Sequence, residues 1–479
     1  MKRLFYTLLF FLPCMLIACG GSDDTPDGDN NPPVVAPPSE EPVDSRLLYN
    51  GIRLPEQWPP VRSSSSELEK GMSPFYLSDK PSVINISVGR QLFVDNFLIE
   101  STNLKRTFYY PEYYSGNPIL TPEQDWEKTG TKGAAFAAPF SDGVWYDEKE
   151  GKYKMWYMAG GGSYATSGAG VTCYAESTDG IHWTKPILSV VAGTNIVDYN
   201  SERDASVVWL DKQESNASKR YKMFLVARES GKWRYHYKTS PDGKVWRAAV
   251  QSEPIADRST VYKNPFRNVW VYSMRHNVRV DANKLVRARD YNENADPEAG
   301  TKKAEALLSA FWFGPWANEQ HHTDYPNIAP AIYNQDATPY ESIMLGFFSV
   351  WQGPENDVCA SDNVIKRNQV MVGYSRDGYS WFREDMNPFH AVNTTTSDAW
   401  NQGNLQSVAG APLIVGDKLY FYLSGRRLRG TQEITTTGLA MLRRDGFASM
   451  KGTGELQTSL LKFDGSYFFV NANVTGEMK

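Results

Sequence analysis

The sequence predicts an all-β fold, a five-bladed β-propeller, from a motif, its spacing and the runs of residues between its copies. The motif S-x-D-G-x-x-W occurs at residues 177–183, 240–246 and 375–381, and a degenerate copy occupies residues 443–449. The aspartates of the four copies lie 63, 135 and 68 residues apart. The middle interval is about twice the others, so one copy is missing near residue 310. A period of about 65 residues indicates a repeat architecture of five units.

Each period contains two runs of apolar and aromatic residues joined by a charged or Asn/Gly-bearing turn, which predicts a β-hairpin. A third run then leads into the motif, so each unit should hold about four strands. Helical periodicity is nearly absent, apart from a short piece around residues 302–309. The predicted hairpins lie within residues 143–160, 206–227, 259–274, 342–351 and 411–425.

The motif itself has a structural interpretation. Its Asp and Ser can cap backbone N–H groups, its Gly supplies a positive φ, and its Trp can pack back on the sheet. We therefore interpret it as a turn at the edge of each blade rather than as a ligand site. The insertion at residues 281–324 is expected to replace the third strand and the motif of the third unit.

The charge pattern argues against a nucleic-acid-binding protein, and the Cys and His pattern argues against a zinc site. The chain has 50 Lys and Arg against 55 Asp and Glu, a net charge of −5, with both signs interspersed. It therefore lacks the basic surface typical of nucleic-acid-binding proteins. It contains no C-x-x-C or H-E-x-x-H motif, and its six histidines are scattered apart from His321-His322. We expect no metal or cofactor in the site, and a structural ion in the central channel stays open.

The N-terminus predicts export. Lys2 and Arg3 precede an apolar stretch, and the sequence L-I-A-C ends at Cys19, so residues 1–18 are similar to a bacterial lipoprotein signal with Cys19 as the lipidated residue. The following G-G-S-D-D resembles the export tag of surface lipoproteins in Bacteroidota. Residues 19–47 predict a disordered tether. We expect a protein anchored to the outer membrane through Cys19, on its periplasmic or outer side.

The remaining chain divides into three parts. Residues 48–130 are expected to form an extension that packs on the propeller, and residues 131–455 the propeller itself. Residues 456–479 predict further strands, which either close the last blade or begin a truncated β-sandwich. The sequence leaves open whether Cys173 and Cys359 form a disulfide. We expect a monomer.

Two segments carry a resemblance to known enzymes. G-N-P-I-L-T-P-E-Q-D-W-E, Gly116–Glu127, is similar to the segment that enters the first blade in glycoside hydrolase family 130. L-F-V-D-N-F-L-I-E, Leu92–Glu100, and the S-x-D-G-x-x-W motifs resemble bacterial proteins described as family 32-like. Together with the architecture, they make the chain resemble the five-bladed glycoside hydrolases of families 32, 43, 68 and 130. That resemblance implies a glycan-active enzyme.

The first strand of each propeller blade starts beside the central axis, so its first residues should converge on one pocket. Counting back from each first turn gives the candidate residues Arg203, Asp204, Asp257, Arg258, Asn334, Gln335, Asp336, Gln402, Asn404 and Gln406. Arg203-Asp204 resembles the Arg-Asp pair of family 32, which implies that Asp204 binds substrate hydroxyls and supports the transition state. Asp257 falls where those families place the general acid. Each aspartate has a structural alternative, as a strand-entry cap or a member of an ion pair.

The first blade departs from this pattern. Families 32 and 43 place a nucleophile or base aspartate where this chain has Phe140. Asp142, two residues on, and Asp95, before the first blade, are the candidates for that role. The stereochemical outcome, retaining or inverting, stays open.

Further candidates lie outside the first strands. Glu341 is interpreted as structural, and His276 is a candidate for binding a substrate hydroxyl. Within the insertion, Trp312, Trp316 and His321 either wall a sugar subsite or pack the loop on the propeller.

The sequence therefore predicts a glycoside hydrolase that acts on an oligo- or polysaccharide. One alternative is an inverting phosphorylase similar to family 130, which requires extra Arg, Lys or His where phosphate would replace water. The other is a non-catalytic glycan-binding lipoprotein, which Phe140 at the base position favours.

Overall fold

The computed structural model describes residues 44–62, 71–128, 134–165, 170–281, 284–306, 308–396, 398–429 and 432–475. The expected signal peptide, Cys19 and the tether up to residue 43 lie outside these described residues. Within the described ranges, no helix combines the length and the apolar character needed to span a membrane.

The strands, in chain order, are β1 (Ile84–Asn85), β2 (Ile99–Thr102), β3 (Lys105–Phe108), β4 (Glu112–Tyr113), β5 (Ala135–Ala138), β6 (Val144–Asp147), β7 (Lys152–Ala159), β8 (Gly170–Ser177), β9 (Ile196–Leu210), β10 (Tyr221–Glu229), β11 (Lys232–Ser240), β12 (Arg247–Gln251), β13 (Thr260–Asn264), β14 (Val269–Asp281), β15 (Lys284–Asn294), β16 (Ala310–Phe313), β17 (Ala331–Tyr340), β18 (Ile343–Gly353), β19 (Arg367–Ser375), β20 (Asn404–Val408), β21 (Leu413–Val415), β22 (Lys418–Arg429), β23 (Gln432–Arg443), β24 (Ala448–Lys451), β25 (Leu456–Thr458) and β26 (Leu461–Lys462). The described residues also form the helices α1 (Pro297–Lys303) and α2 (Asn356–Asp362), and single 3-10 turns at Phe75–Leu77, Asp125–Glu127, Gly162–Tyr164 and Ala217–Lys219.

Five successive groups of antiparallel strands form the body of the molecule: group I is β5–β8, group II β9–β12, group III β13–β16, group IV β17–β19 and group V β20–β23. Contacts between neighbouring groups run from β6 to β9, from β9 to β13, from β13 to β17, from β17 to β20, and from β21 of group V back to β6 of group I. A closed circuit of this kind is the arrangement of a β-propeller, and the predicted all-β propeller fold is confirmed. The count of five blades stays a prediction, because strand pairing also runs between groups and joins sixteen strands into one sheet.

Group V is completed by the segment that precedes group I. Strand β4 pairs with β23, and Leu120 bridges to Thr437 of the same strand. The C-terminal strands β24, β25 and β26 pair instead with β3, β2 and β1. The C-terminal strands therefore pair with the N-terminal extension rather than with group V.

The full copies of the S-x-D-G-x-x-W motif form the turn that the sequence predicts. Oδ1 of Asp179 accepts hydrogen bonds from the backbone N–H groups of Ile181 and His182, both at 2.8 Å. Asp242 and Asp377 accept the corresponding backbone hydrogen bonds in their copies. The interpretation of the motif as a structural turn is confirmed.

The motif turns also hold neighbouring groups together. Tyr422 of group V donates a hydrogen bond to the carbonyl of Gly180 at 2.8 Å, and Trp156 of group I donates one to the carbonyl of Gly243 at 2.6 Å. A Cβ on Gly180 or Gly243 would lie 2.7 or 2.3 Å from those side chains. The motif glycine therefore provides both the positive φ and the room for a side chain of the preceding group.

The insertion in group III contains the third strand of that group. Strand β15 pairs with β14 along its length, and α1 and β16 follow it. The expectation that the insertion replaces this strand is wrong, whereas the motif is absent there. Helix α1 begins earlier than predicted because Asp296 caps it, accepting a hydrogen bond from the N–H of Ala299 at 2.6 Å.

The two remaining cysteines do not form a disulfide. Cys173 is buried in group I, Cys359 is half-buried in α2, and both thiols are free. Burial raises the pKa of the Cys173 thiol well above its ordinary value.

Candidate active site

Two aspartates from neighbouring groups meet where the first strands leave the axis. Oδ2 of Asp204 accepts a hydrogen bond from the backbone N–H of Arg258 at 2.8 Å, and its Oδ1 lies 3.2 Å from Nη2 of the same residue. Asp257 directly precedes Arg258 and forms an ion pair with Arg275. The side chains of Asp204 and Asp257 are 18% and 30% exposed. Two partly exposed carboxylates therefore lie on either side of Arg258, and we take this region as the candidate pocket.

Further along the first strands, short polar side chains from groups I, IV and V form a buried network. The side-chain amide of Asn334 donates to Oδ2 of Asp336 at 3.0 Å, and the hydroxyl of Ser407 donates to Oδ1 of Asn334 at 3.2 Å. The same amide lies 3.4 Å from the hydroxyl of Ser141. We call these four residues the floor of the pocket.

Asp336 differs from the other carboxyls because the floor buries it. Its residue is 8% exposed, and burial raises its pKa to about 7, against the hydrogen bonds that Ser141, Asn334 and the N–H of Val408 supply. Near neutral pH, a large share of Asp336 is therefore a neutral carboxylic acid.

Asp336 should make the stability of the protein depend on pH. An unfolded Asp loses its proton near pH 4, whereas folded Asp336 keeps it until about pH 7. The free energy of unfolding should therefore fall as the pH rises from about 4 to about 7. Asp336→Asn cannot ionise, so the stability of this variant relative to wild type should increase over that range by about 4 kcal/mol.

Urea unfolding of both proteins at intervals from pH 4 to pH 8 measures this difference. Ser407→Ala is the matched control, because it alters the floor and keeps both the carboxyl of Asp336 and its own hydrogen bonds; its curve should run parallel to that of wild type. Parallel curves for wild type and Asp336→Asn would contradict the assignment.

Asp142 and Arg203 form a buried ion pair between groups I and II. Oδ1 of Asp142 lies 2.7 Å from Nη2 of Arg203, and Nη1 of Arg203 donates to the hydroxyl of Thr172 at 2.6 Å. Asp142 is fully buried, and this burial raises its pKa despite the guanidinium of Arg203. The carboxylate therefore joins two strand groups and does not face the open pocket, where a base must contact water.

Asp95 lies elsewhere in the molecule. Its carboxylate binds the guanidinium of Arg376 at 2.8, 3.0 and 3.2 Å, and Arg376 belongs to the motif turn at the outer end of group IV. Both side chains are buried. The hypothesis that Asp95 supplies the catalytic base is therefore corrected: Asp95 fastens the N-terminal extension to the propeller.

The tryptophans of the insertion are core residues. Trp312 is fully buried between Tyr291 and Tyr379, and its Nε1 donates to the carbonyl of Tyr379 at 2.9 Å. The guanidinium of Arg383 covers Trp316, 4.4 Å from the ring centroid. Neither ring offers a face to a sugar, so of the two expectations the packing alternative is the correct one. His321 is exposed, and its Nδ1 donates a hydrogen bond to the carbonyl of Pro326 at 2.8 Å.

The other predicted binding residues divide between pocket and interior. His276 is half-exposed on β14, and Asp290, 3.0 Å from its Nδ1, raises its pKa. Asn404 is buried and donates to the carbonyl of Lys366 at 2.8 Å, which joins groups IV and V. Gln402 is half-buried just before β20. His276 therefore keeps the solvent access that a hydroxyl-binding residue needs, and Asn404 does not.

The structure places Arg258, a predicted site residue, in a cluster of cations whose other members sequence reasoning missed. The side-chain charges of Arg258, Arg287 and Lys366 lie 5.6, 5.5 and 5.3 Å from the centroid of the Tyr333 ring. Arg258 and Arg426 lie 5.3 and 5.4 Å from the centroid of Phe140, the residue at the expected base position. Four cations therefore surround two buried aromatic side chains, those of Tyr333 and Phe140.

These residues were missed because we counted only along first strands. In an antiparallel group, the second strand ends and the third strand begins at the same end as the start of the first. Arg275 and Arg287 flank the turn between β14 and β15, which extend past Thr260, the first residue of β13. Arg426 likewise lies near the turn between β22 and β23. Polar residues beside each second turn are the signal that could have identified them.

A groove at the opposite end of the first strands has a different character. It is lined by aromatic and aliphatic residues such as Trp145, Trp209 and Leu413. Glu341 lines it too, and its carboxylate binds Arg90 at 2.6 Å, as its structural interpretation requires. We place the candidate site at the other end, where several carboxylates and cations converge.

No group of three or more His, Cys, Asp or Glu side chains in the described part of the chain is arranged to hold a metal ion.

Comparison with known proteins finds likeness in structure alone. No protein-family model matches the chain, and no curated protein sequence matches it. Among solved structures, an N-acetylgalactosamine deacetylase from F. plautii, in complex with blood group B trisaccharide, is 10% identical, with 68% of this chain and 96% of that chain covered and a TM-score of 0.41.

Two glycoside hydrolase structures are also similar. A structure from the GH130 family of mannoside phosphorylases, which contains glycoside hydrolases that target β-1,2 mannosidic linkages in Candida mannan, is 12% identical, with 72% and 97% of the chains covered and a TM-score of 0.39. A glycosyl hydrolase from Bacteroides ovatus is 13% identical, with 76% and 99% covered and a TM-score of 0.39. The activity of this chain therefore has to be inferred from its own residues.

Proposed function

We propose that the protein is a glycoside hydrolase that cleaves a glycosidic bond in a complex glycan. The observation that carries the proposal is the pair of exposed carboxylates, Asp204 and Asp257, on neighbouring groups of one pocket. Glycoside hydrolysis needs one carboxyl to protonate the leaving oxygen and a carboxylate to attack the sugar or activate water. The proposal includes export and a lipid anchor on Cys19, which the sequence of residues 1–19 supports.

In this proposal Asp257 is the general acid. Its side chain is the more exposed of the two, so it can reach a leaving oxygen at the pocket mouth. In the free protein it is paired with Arg275, so the substrate must displace that guanidinium before Asp257 can hold a proton. Asp336 is already protonated in part, but it is buried in the floor. We therefore give it a structural role rather than that of the general acid.

Asp204 stabilises the positive charge that develops on the sugar ring, since Arg258 holds its carboxylate in position from two sides. Asp95 and Asp142 are buried, which leaves the base to another carboxylate. We assign this role to Glu433, because its side chain is 33% exposed and lies 3.0 Å from Arg426. Arg426 in turn lies over the ring of Phe140.

A phosphorylase is the second candidate. The cations around Tyr333 favour it, because a phosphate that replaces water as the nucleophile needs positive charge beside the carboxylates.

The first experiment incubates the purified protein with a panel of plant, algal and host glycans, with and without inorganic phosphate. Release of reducing ends without phosphate is the result expected of a hydrolase. Formation of a sugar phosphate only when phosphate is present would replace the hydrolase with a phosphorylase. Retention of a glycan in an affinity gel without cleavage under either condition would identify a binding protein.

A further inference from the structure

The cations around the pocket come from three strand groups. Group III supplies Arg258, Arg275 and Arg287, group IV supplies Lys366, and group V supplies Arg426. Arg275 and Arg287 stand on the part of β14 and β15 that projects past the start of β13. Three of the five charges surround a single side chain, that of Tyr333. We call these five residues the cation cluster.

The carboxylates of the pocket do not balance this cluster. Arg258, Arg275 and Arg426 each have a carboxylate partner, in Asp204, Asp257 and Glu433. Among the residues that the structure describes, Arg287 and Lys366 have no carboxylate oxygen within 4.0 Å. Glu355 acts on Arg275 only at longer range. Lys366 donates to the side-chain oxygens of Tyr333 and Asn356, both at 3.4 Å, so within the described part of the chain its charge and that of Arg287 have no neutralising carboxylate beside them.

The cations of the cluster lie close enough together to repel one another. Burial and the neighbouring charge of Arg287 lower the pKa of Arg275, and Lys366, Arg258 and Arg426 together outweigh burial and lower the pKa of Tyr333 to about 8. The chain as a whole carries a net charge of −5, so this concentration of cations is not a property of the overall composition. Like charges kept together at a pocket are typical of a site that binds the opposite charge.

We infer that the cation cluster binds an oxyanion carried by the sugar itself, so that the substrate is an acidic glycan with carboxylate or sulfate groups. The inference rests on the proposed function, whose substrate class it names. Arg287 and Lys366 bind the oxyanion, with Arg258 and Arg426 beside it. A negative sugar next to Arg275 also competes for the guanidinium that holds Asp257.

Isothermal titration calorimetry on the full chain tests the inference. The probes are a galacturonic acid trisaccharide, a sulfated galactan oligosaccharide, a neutral galactose trisaccharide and inorganic phosphate. Measurements use the wild-type protein, because Asp257→Asn would remove the carboxylate partner of Arg275 and add an unpaired cation to the cluster. Chromatography of each sample after the titration shows that the probe is intact. We expect at least one acidic oligosaccharide to bind about tenfold or more tightly than the neutral one, because hydrogen bonds to charged groups are the stronger ones. Which acidic probe binds identifies the oxyanion as carboxylate or sulfate.

Lys366→Met and Arg287→Gln should each reduce acidic binding about tenfold and leave neutral binding within about twofold. Lys451→Met is the matched control: Lys451 lies over a tyrosine ring too, 5.0 Å from the centroid of Tyr109, on a strand that pairs with the N-terminal extension. It should bind every probe as the parent does. Thermal unfolding shows that each variant is folded, and two independent variants keep the test open if one of them is not.

Equal binding of neutral and acidic oligosaccharides would overturn the inference, as would phosphate binding without acidic-sugar binding. Equal losses for all probes in the two variants would overturn it as well. If the protein binds acidic oligosaccharides but cleaves none of the glycans, this inference stands and the proposed hydrolase activity is wrong. Cleavage of neutral glycans without preference for acidic ones would support the hydrolase and overturn the inference of an acidic substrate.

Discussion

Asp257→Asn is expected to reduce glycan cleavage by about 10²- to 10⁴-fold, because the amide cannot donate a proton to the leaving oxygen. Asp204→Asn is expected to reduce it by about 10²- to 10³-fold, because the amide cannot offset the charge that develops on the sugar. Both carboxylates are partly exposed, so both variants should stay folded. Initial rates of reducing-end release on the glycan identified by the panel measure both effects.

A carboxylate at the far end of the same first strand provides the control. Asp211 follows β9 and pairs with Lys222 at 2.9 Å. Asp211→Asn should cleave the glycan at the rate of wild type. If Asp257→Asn and Asp204→Asn retained that rate as well, the pocket at the start of the first strands would not be the active site.

The second large effect concerns stability. Asp95→Ala is expected to lower the free energy of unfolding by about 3–5 kcal/mol, because it leaves the charge of Arg376 buried without a partner. The two side chains are 0% and 1% exposed, and their ion pair has a shortest distance of 2.8 Å. Arg376 also donates to the carbonyl of Leu92 at 2.8 Å. The pair therefore joins the N-terminal extension to the motif turn of group IV.

Urea unfolding measures the loss, and the double variant Asp95→Leu with Arg376→Met is its control. Removing both charges should recover most of the stability, because no unpaired ion remains in the core. At a temperature where Asp95→Ala is folded, its cleavage rate should equal that of wild type. Loss of cleavage without loss of stability would return Asp95 to the list of candidate bases.

The predicted elements that were confirmed depend on residues close together in the chain. The turn at Asp179 needs only the N–H groups two and three residues later, so its pattern is visible in seven letters of sequence. Counting from a turn also selected Asp204 and Asp257, and both lie beside Arg258; their catalytic roles stay a prediction.

The predictions that failed depend on which distant segments become neighbours. The ring of Trp312 could stack on a sugar if its face were exposed, but Tyr291 and Tyr379 enclose it. Asp95, a candidate base because it lies shortly before the first blade, instead lies against Arg376, 281 residues away in the chain. Strand β4, rather than the C-terminal strands, completes group V.

The sequence by itself determined the class of fold, the repeat and the pocket end of each first strand, because alternating apolar residues and turn-forming motifs act over a few residues. Only the tertiary structure decided which charged groups are buried in pairs and which face the pocket. It brought Arg287, Lys366 and Arg426 together from three strand groups. The physical reason is that burial and electrostatic interaction depend on distance in space, and the return strands of a propeller bring residues to the pocket that lie far apart in the chain.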